Sequence, residues 1–179
     1  MVNLIDVVDE MGMAYDGVQF LYDRENDEIV MVFTDALNVA EELEEDADLE
    51  EAAQHTESGD VEDMELAVRI VNDDGSVFVS LPSQWDIHEH AIMCDFVDTL
   101  PDSSMRDRLA RGLRGSGAFR RFKDGVHQYD IADAWYRFRD RRFIAIARDW
   151  CQENDIPLTV TSDGPHAAEL AELAKNMES

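Results

Sequence analysis

Apolar residues recur at helical spacing over Asn3–Met13, where Leu4, Val7, Val8 and Met11 share one side, so a short amphipathic helix is expected there. The period then shortens to two. Val18-Gln-Phe-Leu-Tyr22 and Ile29-Val-Met-Val-Phe33 are β-type runs, and the polar Asp23-Arg-Glu-Asn-Asp-Glu28 between them predicts a hairpin. Thr34 or Asp35 can cap a following helix through Leu37, Ala40 and Leu43. A second hairpin is expected from Leu66-Ala-Val-Arg-Ile-Val71 and Ser76-Val-Phe-Val-Ser-Leu81, turning at Asp74-Gly75. Pro82 stops that strand. Asp86 and Glu89 form an Asp-x-x-Glu start to a helix ending near Leu100. Beyond Pro101 the pattern is helical, over about 103–114, 117–128, 130–154 and 166–177.

Strands first and helices after predict an α+β fold, a small antiparallel sheet of hairpins followed by a C-terminal helical bundle. The 179 residues are 45% hydrophobic, a globular share that fits one domain over 1–157, with 158–179 as a linker and short helix. No apolar run reaches the roughly 18 residues that cross a bilayer. The opening Met1-Val-Asn-Leu-Ile-Asp6 lacks the basic start and cleavage site of a secretory signal. Cys94 and Cys151 show no motif spacing. The expectation is a soluble, reduced, cytoplasmic protein.

Charge changes the picture more than any motif. Asp and Glu number 41 against 15 Lys and Arg, a net charge of −26. Such an excess repels phosphate backbones and disfavours nucleic acid and anionic membrane as partners. Only Lys123 and Lys175 are lysines. Acid excess with scarce lysine resembles proteins of salt-accumulating halophiles; a GC-rich genome or an acidic binding surface also fits. From Glu41 to Glu65 stand 13 acidic residues and no Lys or Arg, which reads as a solvated, partly mobile segment or as a partner-binding arm. The opposite pole lies between Arg106 and Arg148, with 12 basic residues against five acidic, or +7; the remainder has three against 36, or −33.

Within that basic segment, Gly112-Leu-Arg-Gly115-Ser-Gly117 opens the helix that begins Ala118-Phe-Arg-Arg-Phe-Lys123. A glycine-rich turn opening a helix can present backbone N–H groups to an anion, so Gly115, Gly117, Arg120, Arg121 and Lys123 form a candidate anion site. It is not a P-loop, lacking the preceding strand and the Gly-Lys-Ser/Thr ending. Internal neutralisation of the acidic half, a phosphate-bearing or acidic ligand and an acidic protein partner all remain open. On the long helix, Ile131, Trp135, Phe138, Ile146 and Trp150 make an apolar stripe with Arg142 in its middle. A charge there needs a partner, Asp149 or a carboxylate of another element.

Asp86, His90 and Cys94 fall at i, i+4 and i+8, hence on one helix face, but no second ligand pair accompanies them. No metal or other cofactor is therefore expected. No nucleophile elbow or cysteine signature is present, and no catalytic residue is assigned. Trp135 and Phe138 are expected in the core rather than on a base-stacking platform.

Gly115-Ser-Gly-Ala-Phe-Arg-Arg-Phe-Lys-Asp124, Trp135-Tyr-Arg-Phe-Arg-Asp140 and Ala147-Arg-Asp-Trp-Cys151 carry a resemblance to a bacterial family known as uncharacterised protein family 0158. It extends back through Leu81-Pro-Ser-Gln-Trp-Asp-Ile-His88 and Ile92-Met-Cys-Asp-Phe96, covering roughly 66–156. On that footing 41–65 and the tail after Pro157 look like local elaborations. The resemblance implies a bacterial cytoplasmic protein and carries over no catalytic residue. Two functions follow from the charge pattern. One is a non-enzymatic binding or regulatory module presenting the Arg-rich face to an anionic group or acidic partner. The other is an enzyme holding a phosphorylated small molecule at the Gly115–Lys123 turn. A pocket there with an unpaired carboxylate or histidine, such as His127, favours the enzyme; a shallow basic surface favours the module.

Overall fold

Alternation in β2 (Val18–Asp23) and β3 (Glu28–Phe33) closes an antiparallel hairpin from Val18↔Phe33 to Asp23↔Glu28, as expected. The computed structural model describes residues 1–13, 17–44, 46–161 and 165–177. Before the hairpin come β1 (Val2–Asn3) and α1 (Leu4–Met13). After it come α2 (Thr34–Glu42), α3 (Leu49–Ala53) and α4 (Val61–Val71). Then follow β4 (Phe78–Ser80), α5 (Gln84–Ile87), α6 (Glu89–Thr99), α7 (Ser103–Gly112), α8 (Ala118–Gln128), α9 (Ala132–Glu153), β5 (Leu158–Thr159) and α10 (Pro165–Asn176). The fold is α+β: a three-stranded antiparallel sheet in the order β3-β2-β4, a parallel pair β1-β5, and many helices.

Leu66–Val71 is the principal departure from the expected strands. It is the second half of α4, not a hairpin arm. The helical period starts earlier, at Val61, and buries Met64 and Ala67, while the Asp60 carboxylate caps the helix by accepting from the Glu62 amide at 3.0 Å. The acidic stretch thus supplies α3 and the start of α4; of its 13 carboxylates, Glu45 lies outside the described residues. A single hairpin remains, with β4 added to its other side through Leu21↔Ser80 and Asp23↔Phe78.

Two cores face opposite sides of this sheet. Leu21, Val32 and Phe78 pack with Ala36, Ala40, Ala52, Ala53, Met64 and Ala67 of α2, α3 and α4. Tyr22, with Phe20 and Ile29 partly buried, meets the larger core of α1 and the later helices. There Phe122 and Trp135 stand edge to face with ring centroids 4.8 Å apart, and Phe96 lies 5.4 Å from Trp135. Full burial of each ring contributes about 3 kcal/mol of transfer free energy. The tail joins this core: β5 pairs with β1, and Leu170, Ala171 and Ala174 of α10 are buried in it. Residues 162–164 of the expected linker lie outside the described residues.

Asp23 is the most buried carboxylate among the described residues, 1% exposed. Burial pushes it up, but it accepts from the Asn26 side-chain amide at 2.8 Å and from the Asn26 and Glu25 backbone amides, with Arg69 at 3.6 Å. The hydrogen bonds win, and its carboxyl titrates below the ordinary value. Among the described residues, no helix is long and apolar enough to cross a membrane.

Candidate anion-binding face

The helices α7 and α8 form a hairpin around the Gly115–Gly117 turn. Gly125 permits their close approach, since a Cβ there would sit 2.5 Å from Leu109 Cδ2. The turn is folded around Arg121. Its Nε–H donates to the Gly112 carbonyl at 3.0 Å, Nη1 to Ser116 at 2.7 Å and Nη2 to Arg114 at 2.7 Å. Gly117 adopts φ +75°, and a Cβ on it would stand 3.1 Å from Arg121 Nη1. From the other side His90 Nε2 bonds the Leu113 carbonyl at 2.9 Å. The planar guanidinium therefore satisfies carbonyls at the C-terminal end of α7, where its charge also meets the negative end of the helix dipole. Gly117 and Arg121 act as parts of one staple.

The other candidates lie outside that staple. Arg120 is 89% exposed, with Asp124 at 3.9 Å, and Lys123 is exposed with no ion-pair partner among the described residues. With Ala118, Phe122 and Val126 buried, the helical period sets Arg120, Lys123 and His127 on the outer arc and Phe119 at the border of the buried one, its ring centroid 6.3 Å from that of His90. Arg120, Lys123, His127 and Phe119 are all exposed, Phe119 to 44%. Arg111 and Arg114, near the turn, are exposed and without an ion-pair partner among the described residues. Between α7 and α8 lies a groove of about 340 Å³ lined by Arg108, Arg121, Asp124, Gln128 and Tyr129 among others. There Arg108 donates to the Tyr129 hydroxyl at 3.4 Å, which raises the Arg108 pKa. His127 is not among its lining residues.

The remaining expectations separate cleanly. Arg142 reaches Asp95 on α6 at 3.2 Å, not Asp149. The buried side of α9 holds Phe143, Ile144, Ala147 and Cys151 as well as Trp135 and Trp150, so the core-facing arc is centred about a third of a turn from Arg142. Arg142 stands at its border, with a side chain 53% exposed. The buried charge of this helix is instead Asp140, 7% exposed, held by Arg139 at 3.0 Å. Arg139 in turn lies 5.4 Å over the Tyr136 ring and 5.3 Å over Phe143. Two aromatics at −3 and +4 around an arginine were the available signal for this packing.

Asp86, His90 and Cys94 do not share a helix. The chain breaks at His88, in the left-handed region at φ 48°, which puts Asp86 on α5. There Asp86 accepts from the Ser83 hydroxyl at 2.7 Å and the Ser83 amide at 2.9 Å, bonds that hold its carboxyl below the ordinary range. The capping box is Ser83-x-x-Asp86, one turn earlier than the expected Asp86-x-x-Glu89. Cys94 Sγ lies 3.8 Å from His90 Nδ1, and burial, then Asp98 and Asp95, push its thiol up. No group of three His, Cys, Asp or Glu side chains converges as a metal site among the described residues.

Known proteins place this geometry in a family without assigning it a task. A UPF0158 protein of Pseudomonas aeruginosa is 30% identical over 66 residues, 36% of this chain and 43% of that protein. The match thus spans less than half of the relative's length. No solved structure matches. The model of the Uncharacterised protein family (UPF0158) matches residues 1–174, a wider range than the 66–156 over which the motifs carried the resemblance. The chain belongs to the uncharacterised protein family UPF0158.

Proposed function

We propose that the chain is a non-enzymatic binding or regulatory module whose outer α8 face, Phe119, Arg120, Lys123 and His127, receives an anionic group of an acidic protein partner. One observation carries this reading. Among the described residues Arg120 and Lys123 make no salt bridge to the acidic stretch 41–65; Arg120 has only Asp124, at 3.9 Å, on its own helix. Among the described residues this face is thus not taken up in neutralising the acidic stretch. The groove beside it offers Asp124 as its carboxylate and no histidine, which favours a module over an enzyme. A salt-rich bacterial cytoplasm is the environment that the acid excess and scarce lysine support. There Coulomb attraction is short-ranged, about 3 Å in Debye length at 1 M salt, and the exposed Phe119 adds a contact that salt does not screen.

Calorimetric titration with a short polyglutamate peptide carrying one aromatic residue tests this. Binding is expected for the native chain and is lost in Arg120→Glu/Lys123→Glu, whose melting temperature stays close to native. Equal binding by the double variant, or a response to inorganic phosphate with none to the peptide, would reject the reading.

A further inference from the structure

The two edges of the three-stranded sheet are finished differently. On β4, the bonds Leu81 N–H to Phe20 O (2.9 Å) and Arg24 N–H to Val77 O (3.0 Å) fix the alternation, so Phe78 and Ser80 turn their backbone groups away from β2. Two of these four groups are met by side chains: the Ser80 carbonyl accepts from Trp150 Nε1 at 2.8 Å, and the Phe78 amide donates to Asp73 Oδ2 at 2.9 Å. On β3 the bond Thr34 N–H to Gly17 O (2.9 Å) fixes the alternation in the same way. Glu28, Val30 and Val32 face β2, and Ile29, Met31 and Phe33 direct their amides and carbonyls outward. Among the described residues no strand pairs with them; the Phe33 carbonyl, at the N-cap of α2, accepts the first bond of that helix, and the other outward groups have no backbone partner. The strand carries no proline, no lysine and no bulge, the usual means of blunting an edge. Met31, at the middle of the outward triplet, is 43% exposed.

We propose that this edge pairs with β3 of a second copy, antiparallel about a two-fold axis at Met31, giving a continuous six-stranded sheet. In that register Met31 faces Met31 and Ile29 faces Phe33. Met31 then exchanges two bonds with its copy and each Phe33 amide donates to the Ile29 carbonyl of the other strand, roughly four new bonds in all. A shift of two residues either way loses one of the three pairs. The charge pattern selects the same partner. Residues 29–34 are uncharged in a chain of net −26, and the register sets Glu28 opposite Thr34 and Val30 opposite Val32, so no carboxylate meets another within the paired stretch. A strand from elsewhere would have to supply a matching uncharged edge, which a second copy brings by symmetry.

Sedimentation velocity of the full chain at about 2 M KCl, where a Debye length below about 3 Å suppresses the general repulsion, tests the pairing. The native chain is expected to dimerise with increasing concentration. Met31→Lys places two ammonium groups across the axis and weakens the dimer by about fivefold or more, although it makes the net charge less negative. Amide exchange on the native chain supplies the second readout. Met31 and Phe33 gain protection at dimer-forming concentrations, while Val30 and Val32 are protected throughout. A monomer at all concentrations, a dimer that Met31→Lys leaves intact, or edge amides that stay unprotected in the dimer would each overturn the pairing.

Discussion

Arg121 shows how a residue chosen for one chemistry performs another. In sequence it stands beside Arg120 in a glycine-opened helix, and both look like anion ligands. The helical period separates them: Arg120 points outward, whereas Arg121 turns back over the end of α7 and holds the Gly112, Arg114 and Ser116 carbonyls. A lysine keeps the charge but is a single point donor on a flexible stem, so it cannot reproduce a planar fork serving three acceptors. Arg121→Lys is expected to cost about 1–3 kcal/mol, read as a lower denaturant midpoint at unchanged slope. Arg120→Lys, on a side chain 89% exposed, leaves the midpoint in place. Equal effects of the two changes would refute the staple. The Gly-x-Gly-Ala-Phe-Arg-Arg-Phe run was therefore legible as a turn opening a helix. The direction in which its second arginine folds was not, because carbonyl acceptors leave no signature in side-chain identity.

At the scale of elements, legibility followed the span over which a periodicity is set. Val18–Asp23 and Glu28–Phe33 are separated by a short polar turn and were readable locally. Leu66–Val71 is β-branched enough to pass for a strand, but its period begins at Val61 inside the acidic stretch, and helical context overrode local propensity. The β1–β5 pair joins Val2 to Leu158, a contact between two dipeptides far apart in sequence that no local pattern announces. The α7–α8 hairpin offers a test of element packing. Gly125→Val drives a branched side chain into Leu109, itself only 3% exposed, and is expected to cost about 1–3 kcal/mol by overpacking. Gly12→Ala, also in a helix but with nothing within 4 Å of the added Cβ, should instead gain about 0.5–1 kcal/mol. Denaturation midpoints moving in opposite directions support the close approach; a Gly125→Val midpoint at or above native would exclude it.

For the whole molecule, the net charge of −26 is spread unevenly around the sheet. The layer of α2, α3 and α4 contains the stretch 41–65, 13 carboxylates with no Lys or Arg among them, and no salt bridge anchors that stretch among the described residues. Its core is mostly small, with five alanines among nine buried residues, so burial contributes less there than around Trp135 and Phe122. Self-repulsion and a thin core coincide in one layer. Lowering KCl from about 2 M to about 10 mM lengthens the Debye length from below 3 Å to about 30 Å, and the acidic layer should respond first. Amide exchange is expected to show α4 losing protection at higher KCl than α9. Fluorescence of Trp135 and Trp150, both in the larger core, should change only at the lower concentrations where helical circular dichroism also falls. A chain fully folded at 10 mM KCl would remove the case for a salt-rich working environment. Simultaneous loss of α4 and α9 would show instead that the sheet couples its two faces into one cooperative unit, against the independence that their separate cores predict.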